Sequence, residues 1–171
     1  MDMPRWRVNA DALIKSLKLS RHPEGGWYRE VYRSRGSIAP GALPRRYGGP
    51  RRYATSILYL LQAGERSAFH RVHSDELWHV HLGGPLSLCE ISPRGRPRCI
   101  ALGTDVRRGH AFFHVVRAGT WFAARPAPGV PFVLVGCTVA PGFEFADFEL
   151  ARPGALESRW PRLAPLVRKY R

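Results

Sequence analysis

The pattern of apolar and polar positions changes its period early in the chain. Leu13, Ile14 and Leu17 recur at the spacing of one helical face, and Asn9 or Asp11 stands in front of them as an N-cap. The residues that follow the first glycines alternate instead between two faces, as the residues of a β-strand do. The sequence therefore predicts a short N-terminal helix followed by β structure.

The rest of the chain predicts many short strands without helices between them. The predicted strands are 27–33, 53–61, 67–72, 76–82, 86–91, 98–102, 110–116, 120–124, 132–139 and 143–150. Turns rich in Gly and Pro separate them, and the segment 34–50 is predicted as a long loop. This arrangement favours an all-β sandwich or barrel over a parallel βαβ sheet. We expect one domain over 1–171, with its core at about 22–150.

The charge of the chain does not by itself indicate a nucleic-acid partner. The net charge is +14, from 27 basic and 13 acidic residues. The arginines occur singly and in pairs along the whole chain instead of in one tail or stripe, so we interpret them as a solvated surface. No apolar run has the length of a membrane span, and the N-terminus lacks the apolar stretch of a signal peptide. We expect a cytoplasmic protein without a membrane partner.

The three cysteines, Cys89, Cys99 and Cys137, contain no CxxC pair. An odd number cannot form a complete disulfide framework, and the expected compartment is reducing. The sequence therefore predicts three unbonded thiols.

Histidines are concentrated on the middle strands. His70, His73, His79 and His81 fall within twelve residues and bracket Glu76. Imidazole and carboxylate groups are ligands of divalent transition metals and also acid–base catalysts. Alternation along a strand places Glu76 on one face and both later histidines on the other. We therefore expect His70 to be the partner of Glu76 inside the protein, and His79 and His81 to have structural roles outside.

The segment 64–83 resembles the first motif of the cupin superfamily. Gly64, His70, Glu76 and Gly83 match its spacing, whereas Val72 stands in place of its second histidine. Four blocks in the same order are similar to an uncharacterised branch known as cupin family 5. These blocks are 22–34, 55–61, 69–79 and 136–150.

The resemblance implies a double-stranded β-helix, the cupin jelly-roll barrel, which in this branch is usually a dimer without an agreed activity. The strand 27–33 is rich in Trp, Tyr and Arg, the residue types favoured at interfaces, so we expect it to contribute to a homodimer interface. The barrel interior is then the expected site for a small-molecule ligand.

The second cupin motif matches poorly. Phe122 stands where the family has its last histidine ligand, and Arg117 stands where it has proline. Two of the four customary metal ligands are therefore missing. His73 and His114 are the residues that could replace them, which leaves a divalent metal held by His70, His73 and Glu76 as an open alternative.

Two classes of function fit the residues best, and a third, nucleic-acid binding, stays open only because of the positive charge. In the first, the protein is an enzyme in which His70 is a general base or metal ligand and Glu76 its acid or second ligand. Isomerisation or epimerisation of a carbohydrate is the version nearest to the fold analogy. In the second, the protein is a non-catalytic module that binds a metabolite, and its positive charge favours an anionic ligand such as a sugar phosphate. Further candidate ligand contacts are Glu24, His114 and a stacking wall of Trp78 and Trp121.

Overall fold

The computed structural model describes residues 8–171, which form short strands and three short helices. The strands are β1 (Ser20–Arg21), β2 (Trp27–Arg33), β3 (Ser37–Ile38), β4 (Arg51–Arg52), β5 (Thr55–Gln62), β6 (Ser67–Val72), β7 (Asp75–Gly83), β8 (Leu86–Ile91), β9 (Pro97–Leu102), β10 (Phe113–Val116), β11 (Trp121–Pro126), β12 (Phe132–Ala140) and β13 (Phe148–Leu150). The helices are α1 (Ala10–Ser16), α2 (Ala155–Arg159) and α3 (Ala164–Arg168). Single 3₁₀ turns lie at Pro40–Ala42, Val106–Arg108, Phe145–Asp147 and Pro161–Leu163.

The strands form two antiparallel sheets that face each other. The first sheet has the order β1-β2-β5-β12-β7-β10 and the second has the order β13-β6-β11-β8-β9. Strands β3 and β4 form a separate pair. Non-consecutive strands are neighbours in both sheets, so the chain crosses between them repeatedly. The all-β barrel with an N-terminal helix was therefore predicted correctly.

The main core lies between the two sheets, where alternate side chains of each strand meet. Tyr59, Trp78, Leu88, Phe122 and Val135 are buried there. Alternation places the neighbours of these residues on the outer faces of the sheets. Both outer faces also carry apolar side chains and are covered by helices.

Helix α1 covers the outer face of the first sheet. Leu13, Ile14 and Leu17 pack against Leu60 and Phe132, as the helical spacing predicted. Of the two predicted caps, Asn9 takes the role, since its Oδ1 accepts a hydrogen bond from the Ala12 N–H at 2.8 Å.

The C-terminal helices cover the outer face of the second sheet. Trp121 packs there with Phe69, Leu156 and Tyr170. The predicted stacking wall of Trp78 and Trp121 is therefore wrong. Because side chains alternate along β11, Phe122 faces the interior and Trp121 faces outward.

The prediction of three unbonded cysteines is also wrong. Cys89 and Cys99 occupy directly opposite positions on β8 and β9 and form a disulfide bond, while Cys137 is a buried free thiol. An odd number of cysteines means only that at least one must stay unpaired, so it still allows one disulfide bond. Strand register, which the sequence did not fix, decides which two can meet.

The predicted loop 34–50 is more ordered than expected. It contains β3 and a 3₁₀ turn, and Tyr47 is buried at its end. The Tyr47 hydroxyl donates to the His73 carbonyl at 3.0 Å. The strand predicted for 143–150 is also shorter, because a 3₁₀ turn precedes β13. Within residues 8–171, no helix has the length and apolarity required to cross a membrane.

Candidate functional site

A cavity of about 300 Å³ opens at one end of the space between the sheets. Strands β2, β5, β6, β7 and β12 supply its floor and sides, and the segment before β13 supplies one wall. Its lining residues are His22, Glu24, Tyr28, Glu30, Arg33, Thr55, Ile57, Tyr59, His70, Val72, Glu76, Trp78, Cys137, Val139, Phe143, Glu144, Phe145 and Phe148.

The turn before β2 carries Glu24 into the interior. Gly25 has a φ of 109°, and a Cβ at this position would lie 2.1 Å from the Arg66 carbonyl oxygen. Only glycine permits such a close approach. The Glu24 carbonyl accepts a hydrogen bond from the Ala68 N–H at 2.9 Å, which fixes the turn beside β6. Glu24 is therefore buried although it lies in a turn.

Glu24 and His70 form a buried pair. Glu24 Oε2 lies 3.1 Å from His70 Nε2, and Glu24 Oε1 accepts a hydrogen bond from the Ser67 hydroxyl at 2.8 Å. The other ring nitrogen, His70 Nδ1, is 2.8 Å from the Ala68 carbonyl oxygen, so it carries a hydrogen and donates. The remaining ring nitrogen, His70 Nε2, is therefore the one that faces Glu24 Oε2.

Burial favours the uncharged form of both partners. It lowers the pKa of His70 to about 4, against a smaller rise due to the hydrogen bond with the Ala68 carbonyl. It also raises the pKa of Glu24 above its ordinary value, against smaller opposing effects of His22 and Ser67. In the interior, burial therefore disfavours the charged form of each group.

Glu76 is a second carboxyl group on the same cavity. Burial, and to a smaller extent the charge of Glu24, raise the pKa of Glu76 to about 8. The Cys137 thiol and the Trp78 indole oppose this rise. The Trp78 N–H lies close enough to Glu76 to influence its pKa, but it has no hydrogen-bond partner among residues 8–171. The interior therefore contains a buried donor that a ligand oxygen would satisfy.

The partner assigned to His70 is thus corrected. His70 and Glu76 line one cavity, but the carboxylate in contact with His70 belongs to Glu24. The sequence signal for Glu24 was the HPEGG segment, in which consecutive glycines indicate close backbone contact. Spacing along one motif could not show that a turn more than forty residues away supplies the partner.

Aromatic side chains form the upper walls of the cavity. The His22 ring packs edge-on against Tyr28, with ring centroids 4.6 Å apart. The rings of Phe145 and Phe148 also lie beside His22, with centroids 6.3 and 6.1 Å away, and they contact Phe143 edge to face. Such walls suit the flat apolar faces of a ring-shaped ligand.

Among residues 8–171, the one guanidinium group that lines the cavity belongs to Arg33. Arg33 Nε and Nη2 donate to both oxygens of Glu30, at 2.9 and 2.8 Å. Its Nη1 donates to Glu144 Oε1 at 2.7 Å. Arg33 is therefore neutralised by two carboxylates and is not available to bind an anion.

The residues of the interior do not form the four-ligand metal site that the cupin resemblance implies. Phe122 packs against His70 with ring centroids 4.1 Å apart, where a further ligand would be needed. His73 lies outside the cavity, with its Nδ1 3.4 Å from Asp147 Oδ1. The structure therefore does not bring His70, His73 and Glu76 together. Within the described part of the chain, no three His, Cys, Asp or Glu side chains are placed to hold a metal ion.

The remaining candidate residues lie outside the cavity. The His79 ring stacks on Phe113 with centroids 5.3 Å apart, and His81 is exposed and lies over Gly136. The register shift between β7 and β12 falls at His81, so the alternation from Glu76 to His79 is unbroken. His114 contacts Glu90 in a separate groove.

Comparisons with known proteins identify a family and a relative of this chain. The family model described as cupin superfamily (DUF985) matches residues 11–151. The uncharacterised protein YML079W of Saccharomyces cerevisiae is 26% identical over 153 residues, which cover 85% of this chain and 76% of that protein.

Solved structures show the same fold. A hypothetical protein from Leishmania major has a TM-score of 0.86 at 31% identity, with 95% of this chain and 98% of that chain covered. Protein SO0799 from Shewanella oneidensis has a TM-score of 0.86 at 39% identity, with 95% and 97% covered. Oxalate decarboxylase from Bacillus subtilis has a TM-score of 0.53 at 14% identity, covering 77% of this chain and 29% of that longer one, which is a likeness of fold alone.

Proposed function

This chain belongs to the cupin superfamily, in the branch described as DUF985, and from its interior we propose that it is an enzyme that moves a proton on a small neutral carbohydrate-like molecule. The reaction class is isomerisation or epimerisation, with the groups of this chain acting as acid and base.

The observation that carries the proposal is the 3.1 Å contact between Glu24 Oε2 and His70 Nε2, on a cavity that Glu76 also lines. The Glu24–His70 pair accepts a proton from substrate carbon as the base. Glu76, with a pKa of about 8, donates its proton to the substrate carbonyl oxygen. The net charge of the site does not change, which a buried cavity requires.

The chemistry of the lining supports a neutral ligand. Its carboxyl groups and the free N–H of Trp78 suit hydroxyl and carbonyl groups, and the aromatic walls suit the apolar face of a sugar ring. Arg33, the one arginine that the described part of the chain contributes to the lining, is held by two carboxylates. These features favour a neutral ligand over the anionic one suggested by the net charge of the chain.

A non-catalytic binding module is the second candidate. The observation in its favour is that Ser67 and His70 occupy both oxygens of Glu24. Such a satisfied network also gives a rigid pocket that binds without reacting.

Hydrogen exchange with solvent distinguishes the two candidates. The protein is incubated in D₂O with free aldoses and ketoses, and deuterium at the carbon next to the carbonyl is followed by ¹H NMR. We expect exchange with the wild type and with His79→Ala, whose side chain lies outside the cavity, and its loss in Glu76→Gln and His70→Gln. Saturation-transfer signals from a sugar without exchange would favour the binding module. Absence of both would contradict a carbohydrate ligand.

A further inference from the structure

Two aromatic side chains divide the space between the sheets. The rings of Trp78 and Phe122 meet edge to face, with centroids 6.1 Å apart, and both residues are fully buried. The cavity with His70 lies on one side of this partition. A second, more open groove of about 660 Å³ lies at the sandwich edge formed by β9 and β10.

A second histidine–glutamate pair stands next to the partition. His114 is directly opposite Trp78 across β10 and β7, and Glu90 is directly opposite Phe122 across β8 and β11. Side chains opposite each other on adjacent strands share a face, so His114 and Glu90 also point between the sheets. Their Nε2 and Oε1 atoms are 2.9 Å apart, and only 16% and 14% of the side chains are exposed.

The outer part of this groove is cationic. Arg96, Arg98 and Arg117 line it together with Ser92. Arg117 donates to Asp75 at 2.7 Å, whereas the guanidinium groups of Arg96 and Arg98 make no ion pair or hydrogen bond with residues 8–171. The central cavity, in contrast, contains one guanidinium group, already neutralised.

We propose that this groove is a second ligand site, which binds a small phosphate-bearing anion. Guanidinium groups without a carboxylate partner match the oxygens of a phosphate in a bidentate manner. The largely buried His114–Glu90 pair lies at the inner end of the groove and gives it a depth that suits a compact ligand. The groove includes His114 and also Arg117, which stands where the family has proline, and the proposal does not depend on the reaction in the central cavity.

Inorganic pyrophosphate is the probe, titrated by calorimetry at constant ionic strength. We expect saturable binding to the wild type and a loss of about tenfold or more in affinity when Arg96 and Arg98 are both replaced by Gln, since one charge-assisted contact contributes roughly a factor of ten. Arg94→Gln is the control for the loss of one positive charge close to the groove. Arg94 is exposed in the turn between β8 and β9 but does not line the groove. The affinity of Arg94→Gln for pyrophosphate should therefore stay within about twofold of the wild-type value.

A second readout locates the ligand. Pyrophosphate should shift the imidazole NMR signals of His114 and leave those of His70 unchanged, and His70→Gln should bind it like the wild type. An equal loss of affinity in Arg94→Gln, or no saturable binding, would overturn the proposal. Tight binding of a single-stranded RNA that needs Arg96 and Arg98, with no binding of pyrophosphate, would overturn it in favour of a nucleic-acid partner.

Discussion

His70 and Glu24 contact each other inside the barrel although they belong to different blocks of the sequence. The 3.1 Å contact joins the motif histidine on β6 to the turn before β2. Since the Ala68 carbonyl fixes one ring nitrogen of His70 and Ser67 fixes one oxygen of Glu24, the remaining nitrogen and oxygen are the atoms that face each other. They therefore form one chemical unit.

The first prediction follows from that unit. His70→Gln and Glu24→Gln should each lower the free energy of unfolding by about 1–3 kcal/mol, because each leaves a buried polar group without its partner. The double variant should lose less than the sum, with a coupling of roughly 0.5–3 kcal/mol. Urea unfolding at neutral pH measures all three variants. Strict additivity would show that the two side chains act independently.

The second prediction concerns the pH dependence of stability. The pKa of Glu76 is about 8 in the folded protein, against an ordinary value of 4.5. Between these values the folded state holds a proton that the unfolded state has released. The stabilisation is therefore complete below pH 4.5 and is lost as the pH rises towards 8, by up to about 1.4 kcal/mol per pH unit. The stability of the wild type relative to Glu76→Gln should fall accordingly.

For His70 we expect the free energy of unfolding to change with pH in the opposite direction, and this difference serves as the internal control. Its pKa is about 4 when folded and 6.5 ordinarily, so the unfolded state binds the extra proton between these values. The wild type should therefore gain stability relative to His70→Gln as the pH rises from 4 to 6.5. Thermal melts of the wild type, Glu76→Gln and His70→Gln between about pH 4 and 8 test both directions. If the stability of the wild type and of Glu76→Gln changed with pH in the same way, the burial of Glu76 would be contradicted.

The third prediction concerns the buried ion pair that supports the aromatic wall. Arg51 donates two hydrogen bonds to Asp147, at 2.5 and 2.6 Å, and both side chains are almost fully buried. Asp147→Asn should lower the free energy of unfolding by about 3–5 kcal/mol, because it leaves the Arg51 charge uncompensated. The exposed pair Arg71–Glu149 is the control, since Arg71→Gln should cost less than about 1 kcal/mol. Similar costs in urea unfolding would contradict this ranking.

The fourth prediction concerns the disulfide bond. Thiol titration of denatured, unreduced protein should find one free thiol, that of Cys137, and titration after reduction should find three. Cys99→Ser should lower the free energy of unfolding by about 2–3 kcal/mol in the absence of reductant. The bond joins cysteines that are 10 residues apart, and closing this loop restricts the unfolded chain. Finding three reactive thiols before reduction would contradict the disulfide bond and support the three unbonded thiols predicted from the sequence.

The fifth prediction is the homodimer. The exposed fractions of Val31 and Tyr32 on β2 are 46% and 54%, and β1 covers only the beginning of that strand. Tyr32→Lys should convert a dimer into a monomer, because a charge in an apolar interface is costly. Light scattering at micromolar concentration measures the mass, with the exposed Arg108→Gln as control. A monomeric wild type would refute the prediction.

The alternation of side chains made much of the fold predictable. Strands β6 and β8 begin and end at the predicted residues, and the helical spacing of Leu13, Ile14 and Leu17 identified the face of α1 that is buried. The same alternation placed Glu76 and Trp78 inside and His79 outside. These inferences succeeded because they depend only on the local geometry of a strand or helix.

By itself, the sequence determined that the chain forms a two-sheet barrel and that His70 and Glu76 line its interior. The tertiary structure alone decided that Glu24 is the partner of His70, that Cys89 meets Cys99, and that Trp121 lies under the C-terminal helices. Each of these depends on which strands become neighbours and in what register. Pairing is fixed by burial over the whole core, so contacts between distant segments cannot be obtained from the period of any one of them.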